Sequence, residues 1–373
     1  MRKLGVLVLF NLVLAHQAVA QSSQVQGPVS GSSLTLFGIA DIALAYGSGS
    51  IAHTTQLTSS GNMQSRLGFR GLQDLGGGLG AGFWLETGLQ VDNGGGTAGN
   101  INNQPSGATN PDFMSFSRRA TVSLMDFWGE IRMGRDFTAT FRNRDQTDPF
   151  GTSGVGASLP FSMSIVGVTS TRASNMVGYF LPEGLGGVFG EVQVFMGENV
   201  SYKPGFQPNA QPNPQDGNGY AARVGWSGGP FGIAVSSGKT KYAQTATTGD
   251  VEAYSVGAFY DFGVVRLTAG YFVDEKRQFT TVKSKSYIAG AVIPVGPHQF
   301  KISYSSSGTD EFTDPRAKKL AVGYVYNLSK RTAAYTTFAY LRNSGDSAVA
   351  LNNSITEPGR SSRGFDLGLR HSF

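Results

Sequence analysis

The chain has 373 residues, a formal net charge of +5 and no cysteine. The absence of cysteine excludes disulfides and thiolate metal sites. The basic residues are scattered, with no Lys/Arg run longer than two, so the positive charge does not predict a nucleic-acid-binding surface.

The first 20 residues have the pattern of a secretory signal peptide. Arg2 and Lys3 form a basic start, an apolar run follows over 4–14, and 18–20 (Ala-Val-Ala) fits a small-x-small cleavage site. The apolar run is too short to span a membrane as a helix. We therefore predict an exported protein whose mature part, residues 21–373, is a single domain.

The mature part has no apolar run near the length of a spanning helix, but its residues alternate. In the first predicted strand, Leu34, Leu36 and Leu44 fall on one face, and Thr35 and Asp41 fall on the other. A period of two indicates a β-strand. A chain without spanning helices can cross a membrane only as a closed barrel, because every backbone polar group must be paired there.

The same alternation, followed along the chain, predicts fifteen further strands joined alternately by short turns and long polar loops. The predicted strands are 62–73, 81–91, 115–126, 127–137, 172–181, 186–197, 219–227, 231–242, 251–260, 264–274, 283–293, 298–307, 317–327, 331–342 and 365–373. The longest connections are 47–61, 92–112, 138–171, 198–218 and 343–361. Sixteen is an even number, as bacterial single-chain barrels require, and a barrel of this width leaves an aqueous channel. The fold class predicted is therefore an all-β, 16-stranded antiparallel transmembrane barrel.

The last nine residues fit this interpretation. Phe365, Leu367, Leu369 and the terminal Phe373 share one face with His371, while the residues between them are polar or glycine. One face toward lipid and one toward water is the pattern of a transmembrane barrel strand, with short turns at the periplasmic end and long loops outside.

Several stretches together resemble a known family. They are 36–41 (LFGIAD), 65–71 (SRLGFRG), 74–79 (DLGGGL), 82–86 (GFWLE), 134–136 (GRD), 172–175 (RASN), 323–332 (GYVYNLSKRT) and 370–373 (RHSF). The ordered set resembles the Gram-negative general porins of beta-proteobacteria, most closely the anion-selective trimeric type. The resemblance implies an outer-membrane homotrimer surrounded by lipid, in which the third loop folds into each barrel and narrows the pore. The matching loop is 138–171.

The resemblance also implies site residues. Arg66, Glu86 and Arg172 match members of a pore constriction, and the terminal Phe373 matches a signal read by the outer-membrane assembly machinery. The family pattern assigns a further constriction arginine to Arg118. Strict alternation instead places Arg118 on the outer face with Ala120, Val122 and Leu124, and places Arg119 on the lumen side. Supporting pore-lining residues are predicted at Arg70, Arg119, Glu130 and Arg132.

These residues predict passive diffusion of small anions and hydrophilic solutes, with a preference for anions. The alternatives are a substrate-specific channel for organic or inorganic anions on the same barrel, and a sealed adhesion or structural barrel. The arginines could also only solvate a wet lumen or pair with acids of the wall. An enzyme is not supported, because no histidine lies in a catalytic motif and 76–78 (Gly-Gly-Gly) is a strand-to-strand turn. No cofactor, metal or nucleic-acid partner is predicted.

Overall fold

The computed structural model describes residues 31–110, 115–202 and 213–373. The predicted signal peptide lies outside these residues. The described strands are β1 Ser33–Ser48, β2 His53–Ser59, β3 Arg66–Gly76, β4 Leu79–Gln90, β5 Gly95–Gly96, β6 Arg119–Asp126, β7 Gly129–Phe137, β8 Arg172–Phe180, β9 Val188–Phe195, β10 Gly219–Gly228, β11 Phe231–Thr240, β12 Asp250–Asp261, β13 Arg266–Arg277, β14 Val282–Val295, β15 His298–Thr309, β16 Arg316–Asn327, β17 Thr332–Ser344 and β18 Ser361–Ser372. Two short helices, α1 Ala139–Asp145 and α2 Leu159–Ser162, lie between β7 and β8, with a 3₁₀ turn at Gly167–Ser170; another 3₁₀ turn covers Pro105–Gly107. None of the helices in the described part of the chain is long and apolar enough to span a membrane.

The strands form one closed antiparallel barrel. The first strand closes it, because β1 pairs with β3 through its first half and with β18 through its second half. Two short strands lie outside the ring: β2 pairs only with the end of β1, and β5 pairs only with β4. The remaining sixteen strands make up the wall, which confirms the predicted strand number and the antiparallel topology.

The two faces of the wall also follow the prediction. On β18, Phe365, Leu367 and Leu369 are exposed, whereas Asp366 and Arg370, which point to the other face, are buried. On β1, Leu34, Leu36, Leu44 and Tyr46 are likewise exposed, and the buried face carries Asp41 among mostly small residues. A barrel with this distribution presents its apolar face to lipid and its polar face to the interior.

Some predicted boundaries were wrong. Residues 47–61 contain β2 instead of being only a loop. The strand predicted over 62–73 begins at Arg66, because the backbone N–H groups of Gly61, Asn62 and Met63 donate to the carboxylate of Asp41 and are not available for a strand ladder. The strand predicted from 115 begins at Arg119.

The long segment 138–171 contacts the polar face of the wall at widely separated strands. The Ala139 N–H donates to Gln193 of β9 at 2.8 Å, and the Val155 N–H donates to Asp366 of β18 at 2.8 Å. Between them, the Leu159 N–H donates to Ser305 of β15 at 3.2 Å. The segment is thus fixed by backbone hydrogen bonds to both sides of the barrel.

Apolar packing adds to these hydrogen bonds. Phe150, Val155 and Leu159 of the segment form a buried cluster with small and apolar side chains of β16, β17 and the following loop: Ala317, Ala321, Ala339, Leu341 and Leu351. Lys319 of β16 is buried beside this cluster, and its ammonium group donates to the carbonyls of Val155, at 3.1 Å, and Ala157.

Candidate pore constriction

Glu86 of β4 is the centre of a compact charged site on the inner face. Its Oε1 lies 2.5 Å from Nε of Arg118 and 4.0 Å from Nε of Arg66, and its Oε2 accepts a hydrogen bond from the Trp84 indole at 3.1 Å. Glu86, Arg66 and Arg118 are each no more than 6% exposed. The carboxylate therefore fixes the positions of two guanidinium groups that come from separate strands.

Arg172, the first residue of β8, is the third cation of this site. Its guanidinium lies 4.3 Å from the centre of the Phe137 ring. It interacts electrostatically with Arg118 and with Glu86, and it has no ion-pair partner within 4 Å among the described residues. Three arginines thus share one wall carboxylate, which leaves an excess of about two positive charges on the wall itself, since arginine stays protonated.

Only some of the hydrogen-bond donors of these three guanidinium groups have an acceptor. Nη1 of Arg66, Nη2 of Arg118 and Nε of Arg172 are buried and have no hydrogen-bond partner among the described residues. Buried donors of this kind are costly unless something accepts from them. An anion that reaches this site finds donors already in place.

Both arginines of the disputed pair lie on the inner side. The Arg118 N–H donates to the Glu86 carbonyl at 3.1 Å, and Arg119 is paired with Glu86 in the strand register. Alternation was wrong for Arg118 because β6 begins at Arg119, so the period of two does not extend to the residue before it. Arg118 contacts the Glu86 carboxylate, whereas Arg119 stacks on Trp84, with 4.4 Å to the ring centre, and donates to Thr121.

The other predicted pore-lining residues have local partners. Arg70 is exposed and lies over the rings of Phe37 and Trp84. Arg132 donates through two nitrogens to Glu130, at 2.8 Å each, and to Asp136 at 2.7 Å, and it is only 2% exposed. The charges of Glu130 and Arg132 are therefore compensated within the wall.

Segment 138–171 supplies charged side chains to the inner face of the wall, and these were not predicted from the sequence. Arg142 of α1 donates to Asp136 at 2.7 Å, and Arg144 lies 3.0 Å from Asp274 of β13. Asp145 interacts electrostatically with Arg66 and Arg118, so it faces the arginine site. Burial, followed by repulsion from Asp148, raises the pKa of Asp145 to about 6. The four charged residues within 142–148 were the available signal, but only the fold shows which wall residues they meet.

These features define a class of protein: a wide, membrane-embedded β-barrel whose polar interior carries a cluster of positive charge. Comparison with known proteins specifies the class further. The Gram-negative porin family matches residues 6–346, and the chain belongs to this family. It is therefore an outer-membrane channel and not an enzyme, as predicted.

Three similar proteins each match about nine tenths of the chain, two of them with more than 30% identity. Outer membrane porin protein 32 of Delftia acidovorans is 32% identical over 359 residues, 92% of this chain and 94% of the relative. The structure of an anion-selective porin from Comamonas acidovorans matches 92% of this chain and 100% of its own with a TM-score of 0.78 and 31% identity. The trimer form of OmpT from Vibrio cholerae has a TM-score of 0.64 and 13% identity, covering 92% of this chain and 100% of its own, and shows the shared fold.

Proposed function

We propose that this porin is a general diffusion channel with a modest preference for anions, set by Arg66, Arg118 and Arg172 around Glu86. The observation that carries the proposal is the imbalance of the wall at this site: three wall arginines share one wall carboxylate, and three of their nitrogens have no partner among the described residues. Transport is passive, since small hydrophilic solutes and ions move down their gradients through a wet, charged constriction.

The physical basis is the electric field at a narrow point. Low-dielectric walls focus the field of fixed charges, so a local cluster outweighs charges elsewhere on the molecule. Rings of arginine or lysine are the usual selectivity elements of anion pores. The anion-selective Comamonas acidovorans porin, 31% identical to this chain, supports the same direction of selectivity here.

Segment 138–171 is proposed to fold into the barrel and narrow it. Its hydrogen bonds to Gln193, Ser305 and Asp366 end on three separate strands and on side chains of the polar face. Its Asp145 lies within electrostatic range of Arg66 and Arg118. A loop fixed in this way places an acidic side chain opposite the arginine wall and leaves the passage between them.

The working unit is proposed to be a homotrimer in the outer-membrane lipid. The chain is exported with its signal peptide, residues 1–20, cleaved, and it is inserted by the outer-membrane assembly machinery that reads the terminal Phe373. The trimer form of OmpT, which shares the fold, supports this assembly state.

The test is electrical recording of the purified protein in planar lipid bilayers with a KCl gradient. The proposal predicts open-channel steps in groups of three and a zero-current potential of the sign that anion preference gives. A barrel without open steps would be sealed, and a potential of the opposite sign would refute the anion preference. Conductance that saturates with one anion would instead identify a substrate-specific channel.

A further inference from the structure

Residues 60–65 connect β2 to β3, and we call them the inward insert. Both strands pair antiparallel with β1, β2 with its second half and β3 with its first half. Along this edge the paired residues jump from Ser59 to Arg66, whereas on β1 only residues 40–41 are passed over. The surplus residues cannot stay in the plane of the sheet, so they project from one face of the wall.

Side chains of the inner face hold the insert on the lumen side. Asp41 of β1 is fully buried, and its carboxylate accepts hydrogen bonds from the backbone N–H groups of three insert residues. The donors are Gly61 at 3.1 Å, Asn62 at 3.1 Å and Met63 at 2.7 Å. Tyr335 of β17, which is also buried, donates to the same carboxylate. Because the Asp41 side chain points to the interior, the insert projects into the lumen.

The two ends of the insert are held by the backbone of the same aspartate. The Asp41 carbonyl accepts from the Ser60 N–H at 2.9 Å and from the Ser65 hydroxyl at 3.0 Å. The Ser65 hydroxyl oxygen in turn accepts from the Asp41 N–H at 3.0 Å. Arg66 follows directly and begins β3. One residue of β1 therefore fixes both the insert and the start of the strand that carries Arg66.

The insert also contacts residues 152–155 of the long segment, which we call the loop tip. The side-chain amide of Gln64 donates to the Ser153 hydroxyl at 3.3 Å and to the Thr152 carbonyl at 3.5 Å. Hydrogen bonds of this length are individually weak. Close packing of the two backbones is therefore the stronger part of the contact.

Two glycines make this close packing possible. Gly154 has a φ of +61°, and a Cβ at this position would overlap with the carbonyl oxygen of Gly61. Glycine is needed there for both its backbone conformation and the absence of a side chain. On the neighbouring strand β18, Asp366 accepts from the Val155 N–H at 2.8 Å. The loop tip thus lies between the insert and β18.

From these contacts we propose that Asp41 is a positioning residue of the channel. Through the inward insert it holds the loop tip in place and so sets the width of the passage. This inference rests on the proposed function, in which segment 138–171 narrows the pore. Asp41 forms no ion pair with Arg66, Arg118 or Arg172 in the part of the chain that the structure describes, so it acts through the backbone of the insert.

The first test measures backbone amide exchange of residues 150–158 by mass spectrometry, in the purified, folded porin in detergent. Local opening controls this exchange, and the loss of about one net hydrogen bond changes an opening equilibrium roughly fivefold. Asp41→Ala should therefore speed exchange of 150–158 at least about fivefold and leave β13 and β14, which do not contact the insert, unchanged. The control Glu252→Ala removes a buried carboxylate of β12 that pairs with Lys239, and it should leave exchange of 150–158 unchanged.

A second variant tests the same contact from the loop tip and does not depend on Asp41. Gly154→Ala places a methyl group against the Gly61 carbonyl, so it should speed exchange of residues 60–65. The matched control is Gly151→Ala, because Gly151 has a φ of +59° and no atom within 4 Å of a Cβ built there. Both substitutions strain the backbone equally, but only the first disturbs the contact.

The proposal is overturned if Asp41→Ala leaves exchange of 150–158 unchanged or speeds exchange equally throughout the barrel. It is also overturned if Gly154→Ala affects residues 60–65 no more than Gly151→Ala does.

Single-channel conductance separates this inference from the proposed function. Asp41→Ala should raise the conductance part of the way toward that of a variant lacking residues 151–158. If the deletion raises the conductance and Asp41→Ala does not, the inference is wrong and the narrowing stands. If neither change raises it, the proposed narrowing is wrong, and amide exchange still decides whether Asp41 positions the loop tip.

Discussion

At the scale of single residues, Glu86 determines how the positive site is arranged. It contacts Arg118 directly and approaches Arg66, so it limits where both guanidinium groups can lie while cancelling only one of three charges. Arginine suits this position because its planar group binds a carboxylate with fixed geometry and does not lose its proton. Arg172 contacts the Phe137 ring and has no ion pair among the described residues, so under the proposed function its charge is not cancelled locally.

Asp145 gives the site a predicted pH dependence. Its pKa is raised to about 6, so it is ionised at pH 7.5 and mostly neutral at pH 5. The neutral form no longer offsets the charge of Arg66 and Arg118. Anion preference should therefore increase as the pH falls through about 6, which zero-current potentials at pH 7.5 and pH 5 will measure.

The control for this prediction is Asp145→Asn. This variant should have the same selectivity at both pH values, close to that of the unmodified protein at pH 5. Exposed Glu357, which pairs with Arg360 in the loop before β18, offers a comparison: Glu357→Gln should retain the full pH dependence. A pH response that survives Asp145→Asn would assign it to another group.

At the scale of elements, the barrel strands were predictable because lipid on one face and water on the other impose alternation over ten or so residues. The alternation did not predict correctly where two of the strands begin. Before β3, backbone N–H groups donate to the Asp41 carboxylate instead of to a neighbouring strand. β6 begins one residue after Arg118, so alternation could not assign that arginine to a face of the wall. The role of Asp145 could not be predicted either, because its electrostatic partners, Arg66 and Arg118, lie far from it in the chain.

Segment 138–171 is the element with the clearest functional prediction. Deleting residues 151–158 removes Val155, which hydrogen-bonds to Asp366 and packs on β16, together with the apex of the segment. The passage should widen, so single-channel conductance and the largest neutral sugar admitted in liposome swelling should both increase.

A deletion of residues 244–248, from the loop between β11 and β12 at the same end of the barrel, is the comparison and should leave both quantities nearly unchanged. If removing 151–158 has no more effect than this deletion, the segment does not narrow the pore.

At the scale of the whole molecule, the barrel is closed by the pairing of its first and last strands. The backbone of Phe373 exchanges two hydrogen bonds with Gly38 of β1, at 3.0 and 3.1 Å. Its ring lies where a side chain on Gly38 would project, so glycine is needed there for the ring to lie flat against β1. The terminal residue therefore completes the last part of the seam.

Deleting Phe373 should lower the amount of folded, heat-modifiable protein in the outer-membrane fraction, because both the seam and the proposed assembly signal are lost. Phe373→Tyr keeps an aromatic end and the backbone hydrogen bonds, and it should accumulate normally. Equal amounts of folded protein from the deletion and from the tyrosine variant would show that the terminal aromatic residue is dispensable.

In the proposed function, local charge at the constriction, and not the net charge of the chain, sets ion preference. The most direct measurement is the zero-current potential in a KCl gradient for Arg66→Ser/Arg172→Ser, which retains Arg118 and its ion pair with Glu86. The matched control, Lys276→Ser/Lys283→Ser, removes two positive charges at the rim between β13 and β14.

Each removed constriction charge is worth about 1 kcal/mol in a partly solvated pore, or roughly a fivefold change in the ratio of anion to cation permeability. We expect the arginine variant to shift strongly toward cations, and the shift to shrink at 1 M salt, where the screening length is about 3 Å. The lysine control should stay near the unmodified protein. An equal shift in the two variants would show that the constriction arginines do not set the ion preference.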